Sequence, residues 1–389
     1  SHAVLIYVFA RLWRRSEVLT DAELIEIRYG GRPAAVLRAS KAFLFAVPIN
    51  CIGIGYIMLA AVKVVGALGI GEAWSPPLDM DPKLFSVLVV SALVFAYAGF
   101  SGLWGVVTTD FIQFFLALGG AILVAWFAIR HPDVGGLSGL GEKAQAVTDF
   151  DVLSFIPLDV GANGAFSIAW SAAAGISAST FLAYAFLQWW TFRRSDGGGE
   201  FIQRLVSAKD EREAEKAAWF FNLMHYVVRT WPWILVALAA LVLYPELEDK
   251  ELGYPKLMLD FLPVGILGIV VASLVAAFMS TVSTQINWGA SYLTHDLYRR
   301  FLRPNADQRE LVMAGRVASL LIVSLGAVAA FFARDVATVF RLVIAIGTGP
   351  GAVLILRWFW WRVNAWAELA AMLAGFAIGL FTTVVPVLR

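Results

Sequence analysis

Long apolar segments joined by short polar connections constrain this chain more than any other feature. Nine of them run roughly over 42–67, 84–100, 108–129, 165–191, 218–244, 263–290, 312–333, 336–356 and 364–387. About 20 apolar residues suffice to cross the hydrocarbon core of a bilayer as a helix. The segment at 84–100 is short but continues into Gly102-Leu-Trp-Gly. Residues 1–13 are too short to span and read as the last turns of a membrane helix whose beginning lies outside the sequence. Of the 389 residues 60% are hydrophobic and 15% charged, against roughly 25% charged in soluble domains. The expectation is an all-α polytopic membrane protein, one transmembrane domain over 1–389 embedded in a lipid bilayer.

The loop charges set an orientation. Basic residues number seven in 11–41, six in 193–217, four in 299–309 and two in 357–362. The opposite connections are acidic instead, as in Asp79-Met-Asp81, Asp149-Phe-Asp151 and Glu246-Leu-Glu248-Asp249. By the positive-inside rule the basic loops face the cytoplasm, and the chain is a multi-pass protein of the cell's inner (plasma) membrane. A net charge of +1 argues against nucleic acid as a partner. The single Cys51 excludes a disulfide framework and a thiolate metal site. His2, His131, His225 and His295 are scattered with no nucleophile–base pair or metal spacing, so an enzyme is not expected. Nothing in the sequence speaks to oligomeric state.

Late in the segment 263–290, Ser273, Ala277, Ser280, Thr281, Thr284 and Trp288 fall on one face at helical spacing. Apart from the terminal Trp288, this face offers small side chains and hydroxyl oxygens at membrane depth. Two readings follow. A hard monovalent cation such as Na⁺ takes neutral oxygens of this kind in discontinuous transporter helices. Alternatively, small residues pack helices and hydroxyls return to their own i−4 carbonyls.

The longer string Ala277-Phe-Met-Ser280-Thr281-Val-Ser-Thr-Gln-Ile-Asn-Trp-Gly-Ala-Ser-Tyr-Leu-Thr-His-Asp296-Leu-Tyr298 resembles the sodium:solute symporter family, carriers of sugars, proline, sialic acids, vitamins and anions. Further stretches agree with it: Ala22-Glu-Leu-Ile-Glu26-Ile-Arg28-Tyr29-Gly30, Gly102-Leu-Trp-Gly-Val-Val-Thr108-Thr109-Asp110-Phe-Ile-Gln113, and Gln203-Arg204-Leu-Val-Ser-Ala-Lys209-Asp. The resemblance implies a LeuT-like inverted five-plus-five helical repeat, here N-terminally truncated, with its site at the midplane. It implies a secondary active transporter that couples sodium entry to uptake of a small organic solute by alternating access. Ala277 would give a backbone carbonyl, and Ser280 and Thr281 hydroxyls, to sodium. The remaining ligands would come from a first broken core helix that the sequence does not contain. Asp110 would help sodium leave toward the cytoplasm. A proton-coupled carrier of the same fold and a transporter-like sensory module remain alternatives.

Solute contacts are less specific. Asn50 and Tyr56 fall on a helix that lines the substrate site in the family, though Asn50 equally suits an interhelical hydrogen bond. Thr180 and Tyr184 precede Gln188 by one to two turns, where the family carries substrate-binding residues. Arg229 lies about 16 Å into its helix, where a charge needs a partner or a cavity. It suits an anionic substrate or a buried structural pair. Asp110 also suits the first turn of a helix capped by Thr108 or Thr109. Thr20 and Glu23 suit a capping box. The Ser195-Asp196-Gly-Gly-Gly199 insert reads as a flexible loop and resembles an uncharacterised bacterial branch of the family, departing from its sugar and proline carriers. Trp358, Trp360 and Trp361 with Arg357 and Arg362 read as an interfacial anchor, and Glu368 as a dipole-stabilised first-turn acid.

Overall fold

The computed structural model describes residues 2–67, 81–98, 103–148, 152–153, 158–161, 167–171, 177–182, 186, 196–333 and 349–384. Contacts group the chain into two compact units. The first takes residues 1–113, 189–224 and 277–389, and the second residues 114–188 and 225–276.

Helices dominate. In chain order they are α1 (residues 2–16), α2 (Glu23–Arg28), α3 (residues 31–67), α4 (Pro82–Ala98), α5 (Leu103–Ile129) and α6 (Gly136–Ala146). There follow α7 (Gly199–Val206), α8 (residues 211–243), α9 (Gly253–Phe261), α10 (residues 264–302), α11 (Gln308–Phe332), α12 (residues 349–359) and α13 (Ala365–Val384). Among the described residues six are long and apolar enough to cross a membrane: α3, α5, α8, α10, α11 and α13, with α4 shorter. Large apolar side chains such as Phe111, Ile112, Val227 and Leu321 stand exposed on them, the surface that a hydrocarbon solvent covers. The chain is a multi-pass membrane protein.

Local chemistry explains where these helices depart from the hydropathy reading. Polar helix formers extend α3, α8 and α10 beyond their apolar runs, because a helix needs no apolar side chains once it leaves lipid. Pro48 lacks an amide proton, and α3 accommodates it in a π-helical stretch, Phe45–Ile49. Residues 165–191 do not form one helix from end to end. Ser167–Trp170 is a strand that pairs antiparallel with Leu158–Gly161, and helix is described again only at residues 178–182 and 186.

In the first unit, α3, α4, α10 and α11 share a core of Ile54, Met58, Val87, Val94, Val282, Ile286, Ile322 and Val323. Glycines let the backbones close up. A side chain at Gly326 would run into Ile54, and one at Gly289 into Asn50 and Ile322. This is the small-residue packing by which membrane helices associate without a hydrophobic drive. In the second unit, Trp233 of α8 stacks on Tyr254 of α9 with ring centroids 4.7 Å apart.

At one end of the first unit the packing is ionic. Lys41 Nζ lies 2.8 Å from Asp21 and 4.0 Å from Glu368. Arg357 reaches Asp196 at 2.5 Å and Glu368 at 3.1 Å. All five side chains are buried. Tyr292 donates to Asp21, and Tyr29 to Glu368 at 3.2 Å. Beside them Arg38 grips Asp296 at 2.7 Å and Glu26 at 2.6 Å. Thr20 donates to Asp296 at 2.7 Å and accepts from the Glu23 amide at 3.2 Å just ahead of α2, whose N-cap position is Ala22. The return arm is shifted by one residue, since the Glu23 carboxylate accepts from the Leu19 amide at 2.8 Å. Arg357 is therefore a buried structural cation and not an interfacial anchor, and Glu368, in the first turn of α13 as expected, also pairs with it. Trp360 and Trp361 stay exposed.

Removing one member of such a network leaves the others as uncompensated buried charges. Arg357→Ala is expected to cost about 3–5 kcal/mol, read as a marked loss of thermal stability in detergent. Burial pushes the Asp21 carboxyl up, but Lys41 and the Tyr292 hydroxyl outweigh it and hold it below the ordinary carboxylate value. A depressed folded value means that the charged form stabilises the fold at neutral pH. That contribution should fade in acid unfolding as the pH drops through the folded value, and Lys41→Met should flatten this part of the profile.

Candidate ion site

The hydroxyl face of α10 meets the acid of α5. Ser280 and Thr284 are one turn apart, and Ser280 sits about 24 Å along α10. Ser280 donates its hydroxyl to Asp110 Oδ1 at 2.6 Å. Thr284 donates to Asp110 Oδ2 at 3.4 Å. Thr281 turns back to its own helix, donating to the Ala277 carbonyl at 3.0 Å. The two sequence readings of this face thus divide between neighbours, with Thr281 making the i−4 return bond and Ser280 making a bond to a carboxylate. A carbonyl, three hydroxyls and one carboxylate lie within two turns of α10, a donor set of hard oxygens suited to a small monovalent cation.

Asp110 is not a helix-capping acid. It lies two turns inside α5, which is described from Leu103. Thr108 and Thr109 bond back to the Trp104 and Gly105 carbonyls, each at 2.9 Å, and cap nothing. Sequence inspection placed the helix start where the polar residues cluster, but apolar Leu103-Trp-Gly-Val-Val carries the helix further back.

The member that sequence reasoning missed is Arg204. Its Nη2 donates to Asp110 Oδ2 at 2.7 Å and to the Thr284 hydroxyl at 2.8 Å. The signal was present in the matched Gln203-Arg204 stretch, yet nothing in its spacing tells which acid the arginine meets. The glycine insert sets the position of α7. Gly197 and Gly198 have φ of 137° and 70°, which side chains rarely adopt. A Cβ on Gly199 would collide with the Trp288 indole. Asp196 anchors the turn, accepting from Arg357 and, at 3.1 Å, from the Trp358 indole, while its carbonyl accepts from Trp13 at 2.6 Å. The insert is a fitted turn and not a flexible loop. A cavity of about 620 Å³ in the same unit is lined by Arg14, Gln203, Asn287, Thr294, His295 and Arg316 among others.

The remaining candidates are dispersed. Asn50 is completely buried and donates to the Gln285 carbonyl of α10 at 2.8 Å, the interhelical bond that was one of its two readings. Tyr56, half-buried, packs against the apolar core of the first unit. Thr180 and Arg229 belong to the second unit. Thr180 is exposed, with its hydroxyl 2.8 Å from that of Ser177. Arg229 is exposed on α8 and has no ion pair among the described residues. Tyr184 lies outside the described residues.

If Ser280 and Asp110 act as one unit, substitutions at the two are not additive. The double-mutant cycle of Ser280→Ala and Asp110→Asn, followed by thermal stability in detergent, is expected to show a coupling of about 0.5–3 kcal/mol. Additivity would mean that their contact carries no weight.

Comparison with known proteins places this geometry. Residues 1–375 match the family model described as sodium:solute symporter family. The sodium/glucose cotransporter of Vibrio parahaemolyticus is 24% identical over 97% of this chain and 69% of its own length. A sodium/mannose cotransporter of Bos taurus is 25% identical over 96% of this chain and 64% of its own. The osmoregulated proline transporter of Bacillus subtilis is 27% identical over 80% of this chain, which spans 59% of it. A solved structure of a Na⁺-coupled sialic acid symporter, substrate-bound and outward-open, superposes with a TM-score of 0.71 at 19% identity, covering 98% of this chain and 81% of that one. The likeness is one of fold, the LeuT-like architecture expected from the sequence.

Proposed function

The chain belongs to the sodium:solute symporter family, and from that premise we propose that it works as a secondary active transporter. It couples sodium entry to uptake of a small organic solute by alternating access. The observation that carries this reading is the Ser280–Asp110 bond at 2.6 Å, beside the Ala277 carbonyl and the Thr281 hydroxyl.

Sodium gives up hydration water only where oxygens replace it. Ala277 offers a carbonyl, and Ser280 and Thr281 offer hydroxyls on one turn of α10. Each hydroxyl donates to a local acceptor, so a lone pair of its oxygen is left to face an ion. Asp110 offers the charge that draws the ion from that turn toward the end of the molecule bearing the basic loops. We place those loops in the cytoplasm of a plasma membrane, following the charge asymmetry. Asn50, Tyr56, Thr180, Tyr184 and Arg229 are the proposed solute contacts, and Arg229 would favour a solute that carries a negative charge.

The test is solute uptake into liposomes holding the full-length protein, driven by an inward sodium gradient, with potassium or choline as controls. Sugars, amino acids, sialic acid and carboxylates form the panel. Ser280→Ala and Thr281→Ala are each expected to raise the sodium concentration for half-maximal uptake about tenfold, the equivalent of about 1.4 kcal/mol. Uptake indifferent to sodium and to both substitutions would refute the hydroxyl site and point to a proton-driven carrier.

A further inference from the structure

The Arg204 guanidinium occupies an oxygen of Asp110, the acid to which the proposed function draws the cation. Asp110 Oδ1 accepts from Ser280, and Oδ2 accepts from Arg204 and Thr284. The Thr284 oxygen accepts from Arg204 as well. Asp110 is thereby neutralised by a charge-assisted bond, the strong kind of hydrogen bond. The arginine does not reach this place by chance of a loose side chain. Its Nη1 donates to the Glu200 carbonyl one turn back at 2.9 Å, which aims the guanidinium off α7. The Asp196 turn and the Gly199–Trp288 contact fix where α7 begins.

We propose that Arg204 is a tethered cation that competes with sodium for Asp110, and so sets how tightly and for how long the ion is held on that acid. This rests on the sodium-coupled reading above. Two positive charges within a few ångströms of one carboxylate repel. Sodium reaches Asp110 only as the guanidinium withdraws, and the returning guanidinium expels sodium. The side chain is 31% exposed, so it can swing aside without opening the core. Arg204 is a specificity-determining residue of the transport cycle and holds no ion itself.

A purely structural arginine can only weaken ion binding when it is removed, whereas a competitor strengthens it. The experiment titrates the purified full-length protein with sodium chloride against choline chloride at constant ionic strength, following tryptophan fluorescence. Arg204→Gln is expected to bind sodium about tenfold more tightly than wild type. Arg204→Lys, which keeps the charge but loses the fork, should fall between. In the Asp110→Asn background, Arg204→Gln should leave sodium affinity unchanged. If Arg204→Gln does not accumulate as folded protein, Arg204→Lys decides, with tightening of twofold or more supporting competition. Unchanged or weaker sodium binding in the variant that folds overturns the proposal, provided that wild type binds sodium and Ser280→Ala weakens it. Absence of sodium binding in both wild type and Ser280→Ala overturns the transport reading first, and this inference with it.

Discussion

Five buried charges, those of Asp21, Lys41, Asp196, Arg357 and Glu368, hold together the end of the first unit on which the candidate ion site depends. Moving an ion out of water costs several kcal/mol even after relaxation, and only near-ideal geometry with further hydrogen bonds offsets it. That requirement restricts the backbone strongly. Asp21 must come from the segment before α2, Asp196 from the turn before α7, Lys41 from α3, Arg357 from α12 and Glu368 from α13. Three carboxylates against two cations also explain the aromatic donors Tyr29, Tyr292 and Trp358 around them. They supply neutral donors where a third cation would overfill the space.

The site inherits its accuracy from this end. Asp196 is locked by Arg357, the glycine turn passes beneath the Trp288 indole, and α7 leaves in a fixed direction. About one and a half turns later Arg204 meets Asp110 and Thr284. A helix of eight residues has little stability of its own, so α7 is positioned by tertiary contacts, and these run back to the buried charges. The same dependence gives the site a route for change. The buried pairs are rigid, while Arg204 and Asp110 are partly exposed, with side-chain exposures of 31% and 20%. Motion is therefore easiest at the guanidinium, where the ion would have to pass.

Much of the helical skeleton was legible because hydrocarbon imposes a one-dimensional rule: apolar length. The rule failed where its physics does not operate. It started α3 and α8 too late and ended α10 too early, since polar residues carry a helix into water without penalty. It read residues 165–191 as one helix, although Ser167–Trp170 lies in a strand. Arg357 was placed at an interface because isolated charges near a membrane end usually lie there, and its partners Asp196 and Glu368 are 161 and 11 residues away.

By itself the sequence determined the membrane class, the helical content, the family and the α10 face of Ala277, Ser280 and Thr281, all written in residues near one another along the chain. Only the tertiary structure decided which acids and bases meet. Asp110 lies 170 residues from Ser280 and 94 from Arg204, and no helical period links positions so far apart. Their meeting comes from how α5, α7 and α10 pack, which depends on backbone approach at glycines and on satisfying charges in a medium that tolerates none unpaired.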